Sequence, residues 1–340
     1  MDTTMMHIPR DNRNSLPVHS AAIRTFSESA AQELHYLIAD PTGNITLLVL
    51  DPLPAGKQPV AAAALMEKEP SAEQVGFLTL PESSKTVSTD HTLGDYDIAL
   101  RMAGGEFCGN ASMSAAAYYA WYAGLKHGTF TLHVSGTDLP VTVEISTREQ
   151  VEAKKELDTK KLLDASPSWI GRVHMPPPAK LELVTFPTGR QLPVVTFDGI
   201  SHVIIREGAQ TSESSILKDS QMNGFSILKD SAASDFPTLH RKFEAENLAR
   251  DWCGFLHADA LGLLFLNASA DRLTPLVYVP GADTLFWETS CGSGSAAVGA
   301  WLAQQSGQPV SVSLTQPGGT LHVTASPDGP LLLQGSIHFK

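Results

Sequence analysis

Two of the chain's three cysteines stand in matching surroundings. Cys108 lies in Glu106-Phe107-Cys108-Gly109-Asn110-Ala111-Ser112, and Cys291 lies in Glu288-Thr289-Ser290-Cys291-Gly292-Ser293-Gly294-Ser295. Each is followed by glycine, by small polar residues, and then by an apolar run that ends near a tryptophan, Trp121 or Trp301. A cysteine at the mouth of a helix meets unsatisfied N–H groups and the positive end of the dipole, which favour the thiolate and lower its pKa. The same N–H groups bind a carboxylate. Two such helix starts facing one cleft would hold an amino-acid carboxylate and set one thiol on each side of the α-carbon. That equipment suits racemisation or epimerisation. One thiolate removes the α-proton, the opposite thiol returns a proton to the other face, and oriented donors stabilise the charge that builds on the carboxylate.

A single cysteine at a helix start is more often a small buried hydrophobe. The chemical reading gains its weight from two cysteines at matching positions of a repeated unit. Cys253, in Asp251-Trp252-Cys253-Gly254, has no counterpart in the other half and reads as core packing.

The elements that must position these residues recur in one order: strand, Cys-Gly motif, apolar helix, hairpin. Residues 111–123 and 295–303 show no polar stripe, so each helix is expected to be buried on all sides and wrapped by strands. Residues 95–103 read as the strand ahead of Cys108, and 129–134 with 139–145 as the hairpin behind it. Residues 283–287 lead into Cys291, and 310–314 with 320–324 form the second hairpin. Elsewhere the pattern predicts a turn at 40–44, strands at 45–51 and 75–80 and a short helix at 58–67. Later strands are expected at 169–174, 181–186, 194–197, 260–266, 273–279 and 331–339. A helix over 236–256 carries apolar positions at Leu239, Phe243, Leu248, Trp252 and Phe255. Residues 1–20 read as a loose polar leader, and 149–164 as a charged, solvated helix or linker. The segment Ser215-Ile216-Leu217-Lys218-Asp219-Ser220 recurs at Ser226–Ser231, as expected of a duplication in a surface insertion. A duplicated domain follows, with one domain over residues 1–160, completed by a C-terminal strand at 329–340, and the second over 161–328.

The chain of 340 residues is long enough for two cores. Its formal net charge of −12 argues against nucleic acid or an anionic membrane as partner. Three cysteines are too few, and odd in number, for a disulfide framework, which points to a reducing compartment. The opening residues lack a signal-peptide pattern and no apolar run is long enough to span a bilayer, so a cytoplasmic location is expected.

From about Ile23 to its end the chain resembles the diaminopimelate epimerase superfamily of cofactor-independent amino-acid racemases and epimerases. The elements that carry the resemblance are Gly43-Asn44, Cys108-Gly109-Asn110-Ala111, Gly199-Ile200-Ser201-His202 and Cys291-Gly292-Ser293-Gly294. The resemblance implies an α/β (α+β) fold of two similar domains, each a β-barrel around a central apolar helix, with the active site between them. It implies that Cys108 and Cys291 are the acid/base thiols. Gly109, Asn110, Gly292 and Ser293 would be the carboxylate-binding helix starts, and Asn44 and His202 would belong to the substrate site. It implies no cofactor and no metal, with a small-molecule amino acid as the partner and homodimerisation left open.

The departures are informative. Diaminopimelate epimerases carry a Glu-Arg-Gly segment before the second cysteine that holds the distal end of the substrate, whereas here the region is Gly281-Ala282-Asp283-Thr284. Ile200-Ser201 stands where an asparagine is expected, and the loop from Arg101 to Glu106 is short. With Ala103-Gly104-Gly105-Glu106-Phe107-Cys108-Gly109-Asn110-Ala111 and Trp287-Glu288-Thr289-Ser290-Cys291, the chain resembles instead the histidine racemase branch, whose members supply D-histidine for opine-type metallophores. Interconversion of L- and D-histidine is the implied reaction. A basic imidazole needs an acidic or hydrogen-bonding partner, and Glu288 and Glu73 are the candidates, although either also reads as a surface or capping residue. The alternatives are a racemase or epimerase of another amino acid such as diaminopimelate, and, from a different class, a non-catalytic amino-acid-binding or thiol redox-sensing protein.

Overall fold

The computed structural model describes residues 22–29, 32–80, 96–148, 168–206 and 239–340. The expected leader at 1–20, the charged segment at 149–164 and the repeat at 215–231 lie outside these residues. The chain divides into two compact units, Met1–Val173 with Gly335–Lys340, and His174–Gln334. Among the described residues no helix is long and apolar enough to cross a membrane.

In the first unit the strands are β1 (Arg24–Ser29), β2 (Gln32–Pro41), β3 (Thr46–Val49), β4 (Gln74–Thr79), β5 (Ile98–Met102), β6 (His127–Val134), β7 (Val141–Thr147) and β8 (Trp169–His174). Strand β17 (Leu331–Phe339) brings its last residues into this unit. The ladder runs β2-β3-β4-β5-β6-β7-β8-β17, and β17 pairs β2 through Ile337–Pro41, His338–Asp40 and Phe339–Ala39. Eight strands therefore close into a ring, which removes the exposed edges of an open sheet. Helix α2 (Gly109–Tyr122) packs on β2, β3, β5, β6 and β7, and residues 109–118 and 120 are all buried. The absent polar stripe of the sequence thus has its physical counterpart. Inward positions alternate as a two-residue period requires: Val141, Val143, Ile145 and Thr147 on β7, and Ile337 and Phe339 on β17. The Trp121 ring stacks on Phe339 at 5.3 Å, fastening the end of the helix to the closing strand.

Strands β3 and β4 are parallel, joined across helix α1 (Gln58–Lys68). Ala61, Ala62 and Leu65 of α1 cover Tyr36, Ile38, Leu47, Val49 and Phe77. With α2 on one face and α1 on the other, β3 is buried at every residue, which is why it reads as a continuous apolar run.

In the second unit a six-stranded sheet has the order β14-β13-β12-β11-β10-β9. Its members are β9 (Lys180–Thr185), β10 (Gln191–Phe197), β11 (Ile200–Arg206), β12 (Leu261–Leu266), β13 (Leu273–Val279) and β14 (Thr284–Trp287). Helix α3 (Leu239–Leu256) covers one face. Helix α4 (Gly292–Ser306) packs on β10 and β11, and also on the hairpin of β15 (Val310–Gln316) and β16 (Gly319–Ala325), which the first residues of β17 extend. A single bridge, Arg272–Thr315, links β15 to the edge of β13. Nine residues of α4, from Gly292 to Ala303, are buried.

Two expectations differ in detail. Helix α3 buries Ala245, Ala249, Trp252 and Cys253, while Phe243 and Phe255 are exposed. Ala245 and Ala249 share the inner face with Trp252 and Leu248, because alanines let the helix approach the sheet closely. Cys253 is in this core, its thiol donating to the Ala258 carbonyl at 3.3 Å. Strand β11 shows in the sequence only as the Gly199–His202 motif. It is buried on both faces, with Val203 and Ile205 toward α3 and His202 and Ile204 on the opposite face.

His202 pairs in register with Gly262 of β12. A Cβ at position 262 would lie 2.2 Å from His202 Nδ1, so only glycine leaves room for the ring. The imidazole is wholly enclosed, and burial pushes its pKa down to about 3. As pH falls below the ordinary histidine value, the unfolded chain takes up a proton that the folded chain refuses. Stability is therefore expected to decline on acidification from about pH 6.5 toward 3, by up to about 1.4 kcal/mol per pH unit from this group. Urea unfolding across that range checks it: the slope should shrink in His202→Gln relative to the parent. In the first unit, Phe339→Ala should cost about 3–5 kcal/mol by the same measurement, since it empties the stack on Trp121.

Candidate active site

Each of the two cysteines is the N-cap of its helix, with extended backbone: φ −133°, ψ 112° at Cys108 and φ −105°, ψ 109° at Cys291. The sulfur takes the place of the usual capping oxygen. Cys108 Sγ accepts the Ala111 N–H at 3.4 Å, and Cys291 Sγ accepts the Gly294 N–H at 3.3 Å. A serine four residues on donates to the carbonyl of the cap in both cases, Ser112 to Cys108 at 2.8 Å and Ser295 to Cys291 at 2.7 Å. The duplication legible in the sequence is thus repeated bond for bond.

In the first unit Cys108 is half-buried and its thiol donates to Gln74 Oε1 at 3.2 Å. The Gln74 amide is oriented by its own Nε2, which donates to Asn44 Oδ1 at 2.6 Å and Thr46 Oγ1 at 2.7 Å. Asn44 Nδ2 in turn donates to Glu73 Oε2 at 2.7 Å. The turn between β2 and β3 sets Asn44 in place: Asp40 accepts the Gly43 N–H, and Thr42 and Gly43 have positive φ. Asn44, Glu73 and Cys108 are therefore joined into one network by Gln74, which the sequence reading passes over. Its only signal was adjacency to Glu73 at the start of β4. Gly109 and Asn110 occupy the first two positions of α2, and both are buried.

In the second unit Cys291 is 3% exposed. Its pKa is raised, first by burial and then by the charge and hydrogen bond of Glu288, against smaller lowering contributions from Ser293 and the Gly294 amide. The expected lowering by the helix start is present but outweighed: desolvation of a thiolate costs more than one turn of N–H dipoles returns. Glu288 is thus close enough to the thiol to oppose its ionisation. Ser293 Oγ lies 3.6 Å from Cys291 Sγ and 3.0 Å from His202 Nε2. His202, expected in the substrate site, is enclosed and reaches Cys291 through the Ser293 hydroxyl. Gly292 and Ser293 open α4 as Gly109 and Asn110 open α2. Gln316, the last residue of β15, is buried and accepts the Cys291 N–H at 2.8 Å.

Chemically, each unit presents a thiol held at a helix start beside amide donors, with a carboxylate nearby. Among the described residues no group of three or more His, Cys, Asp or Glu side chains is placed to hold a metal ion.

Comparison with known proteins adds the family. A model of the histidine racemase CntK N-terminal domain matches residues 33–235 and 227–334. A histidine racemase of Staphylococcus aureus (strain Mu50) is 26% identical over 312 residues, 90% of this chain and 93% of that protein. A histidine racemase of Fusobacterium nucleatum subsp. nucleatum (strain ATCC 23726) is 25% identical over 283 residues, 81% and 83% of the two chains. Among solved structures, a "Predicted Epimerase" from Pseudomonas aeruginosa aligns with TM-score 0.55 at 14% identity, over 90% of this chain and 96% of that one. A probable proline racemase from Agrobacterium radiobacter K84 aligns with TM-score 0.52 at 14% identity, over 90% and 92%. These two share the fold. The protein is an isomerase of the amino-acid racemase kind, and the chain belongs to the family of the histidine racemase CntK N-terminal domain.

Proposed function

We propose that the enzyme interconverts L- and D-histidine by two-base proton transfer at the α-carbon, with Cys108 and Cys291 as the two bases. The observation that carries this reading is the identical capping of two buried helices by two thiols. In each, the sulfur accepts the N–H of the third helical residue. The identity of the amino acid is supported by the relatives named histidine racemase and by the missing arginine at Gly281–Thr284.

In one direction a thiolate takes the α-proton, and the second thiol donates its proton to the opposite face. The enzyme is left with the two sulfurs in exchanged protonation states, ready for the reverse reaction. The α-hydrogen of an amino acid is weakly acidic, so a strongly basic thiolate is an advantage, and burial with Glu288 makes Cys291 one. The amides of Gly109, Asn110, Gly292 and Ser293 would hold the carboxylate as charge builds on it. Glu288, which bears on the Cys291 thiol, and Glu73, steadied by Asn44, are the candidate partners for the imidazole.

Incubation with L-histidine in deuterium oxide under reducing conditions, with no cofactor added, should yield D-histidine labelled at the α-carbon. No label and no D-isomer across a panel of amino acids would rule the assignment out. Cys108→Ser and Cys291→Ser should each lower kcat by roughly a hundredfold or more, since each face needs its own base. Glu288→Gln should move the pH profile of Cys291 alkylation to lower pH, because a neutral amide no longer opposes the thiolate. Peptide mass spectrometry of iodoacetamide-treated protein reads this directly, and an unmoved profile would remove Glu288 from its role.

A further inference from the structure

The hairpin that follows each cysteine-bearing helix turns its tip back onto the loop that precedes the cysteine. In the first unit the tip between β6 and β7 is Ser135-Gly136. Ser135 Oγ donates to the Glu106 carbonyl at 2.8 Å and accepts the Met102 N–H at 2.9 Å, so one hydroxyl spans both ends of the loop from β5 to Cys108. The Ser135 N–H donates to the Leu100 carbonyl at 3.0 Å. Gly136 has φ +76°, and a Cβ there would lie 2.1 Å from Phe107 N and 2.6 Å from the Glu106 carbonyl carbon. The tip is pressed against the backbone immediately before Cys108, and no side chain larger than hydrogen fits between them.

In the second unit the tip between β15 and β16 carries Gln316 and Gly318. Gln316 Oε1 accepts the Cys291 N–H at 2.8 Å, and its Nε2 donates to Ser295 Oγ at 2.8 Å. Ser295 Oγ donates to the Cys291 carbonyl at 2.7 Å, so the amide reaches both backbone groups of the cysteine, one directly and one through a hydroxyl. The Gly318 N–H donates to the Thr289 carbonyl at 2.7 Å. Different residues thus do the same task at the same place in each repeat.

We propose that these two tips, Ser135-Gly136 and Gln316-Gly318, are the positioning devices of the two thiols, each setting one sulfur and not the other. A helix N-cap alone fixes the cysteine relative to the helix that follows it. The loop before it, Gly104-Gly105-Glu106-Phe107 in one unit and Glu288-Thr289-Ser290 in the other, must be held from another element. The hairpin tip is that element, and Ser135, Gly136 and Gln316 are positioning residues that act through backbone. The catalytic consequence rests on the racemase reading above; the positioning itself does not.

Two measurements on the full chain test this, with thermal unfolding of each variant as a control. The first is substrate-free alkylation of each cysteine with iodoacetamide, read by peptide mass spectrometry. Gln316→Ala should change the labelling rate of Cys291 several-fold and leave Cys108 unchanged, while Ser135→Ala and Gly136→Ala should do the reverse. Ser135→Thr, which restores the hydroxyl, should return Cys108 labelling to the parent rate even if Gly136→Ala does not fold. Equal changes at both cysteines in every variant, or none, would overturn the proposal. The second is the deuterium isotope effect with α-deuterated L- and D-histidine. Turnover in Gln316→Ala and Ser135→Ala should fall by roughly ten- to a hundredfold, as expected of a displaced reacting group. The isotope effect should rise in one direction for Gln316→Ala and in the opposite direction for Ser135→Ala. A fall in folded fraction alone would leave both isotope effects at the parent value and would count against the proposal. A parent enzyme that exchanges no α-proton would instead overturn the racemase reading, with the alkylation result still deciding the positioning.

Discussion

A helix that is buried on every side must still satisfy the first N–H groups of its backbone, and it cannot do so with water. In this protein that requirement is met twice by a cysteine sulfur at the N-cap. The arrangement has a chemical consequence that a serine or aspartate cap would not have. It places an ionisable, nucleophilic atom at the point where oriented backbone donors collect. The ring of strands around α2 and the strands against α4 hold those helix starts in place.

The two half-sites are built alike but not charged alike. The Cys108 thiol donates a hydrogen bond to the carbonyl of a neutral amide, Gln74, at the end of a chain of amides that reaches Glu73. At Cys291, burial and then the Glu288 carboxylate push the thiol pKa up. On the two-base reading proposed above, both sulfurs would have to accommodate both protonation states. The partners differ on the two sides, a neutral amide at Cys108 and a carboxylate at Cys291. His202 shows the same economy at one remove: an uncharged ring, fitted against Gly262, touches the serine beside Cys291 and not the sulfur itself.

Much of the fold was legible because its signals are local. The burial of residues 109–118 follows from an unbroken run of small and apolar residues after Cys108. The hairpins after each helix follow from two-residue alternation around Gly-rich turns. On α3 the apolar positions Leu248 and Trp252 face the core while Phe243 and Phe255 do not, because close packing on β12 and β13 selects Ala245 and Ala249 beside them. Strand β11 was hidden because burial on both faces erases alternation, and because its parallel neighbour β12 is distant in sequence.

By itself the sequence determined the chemistry on offer: two cysteines, each opening an apolar helix, in a unit used twice. Those features are set by residue type and by spacing over a dozen residues, which is the range at which periodicity and capping operate. Only the tertiary structure decided what surrounds each sulfur. Gln74 and Cys108 are 34 positions apart, Gln316 and Cys291 are 25 apart, and His202 and Ser293 are 91 apart. No local pattern marks a glutamine as the acceptor of a particular thiol or amide. It becomes one when the strands bring it within hydrogen-bonding distance, and the sign of the pKa shift at Cys291 then follows from burial and from Glu288, not from the helix start that the sequence displays.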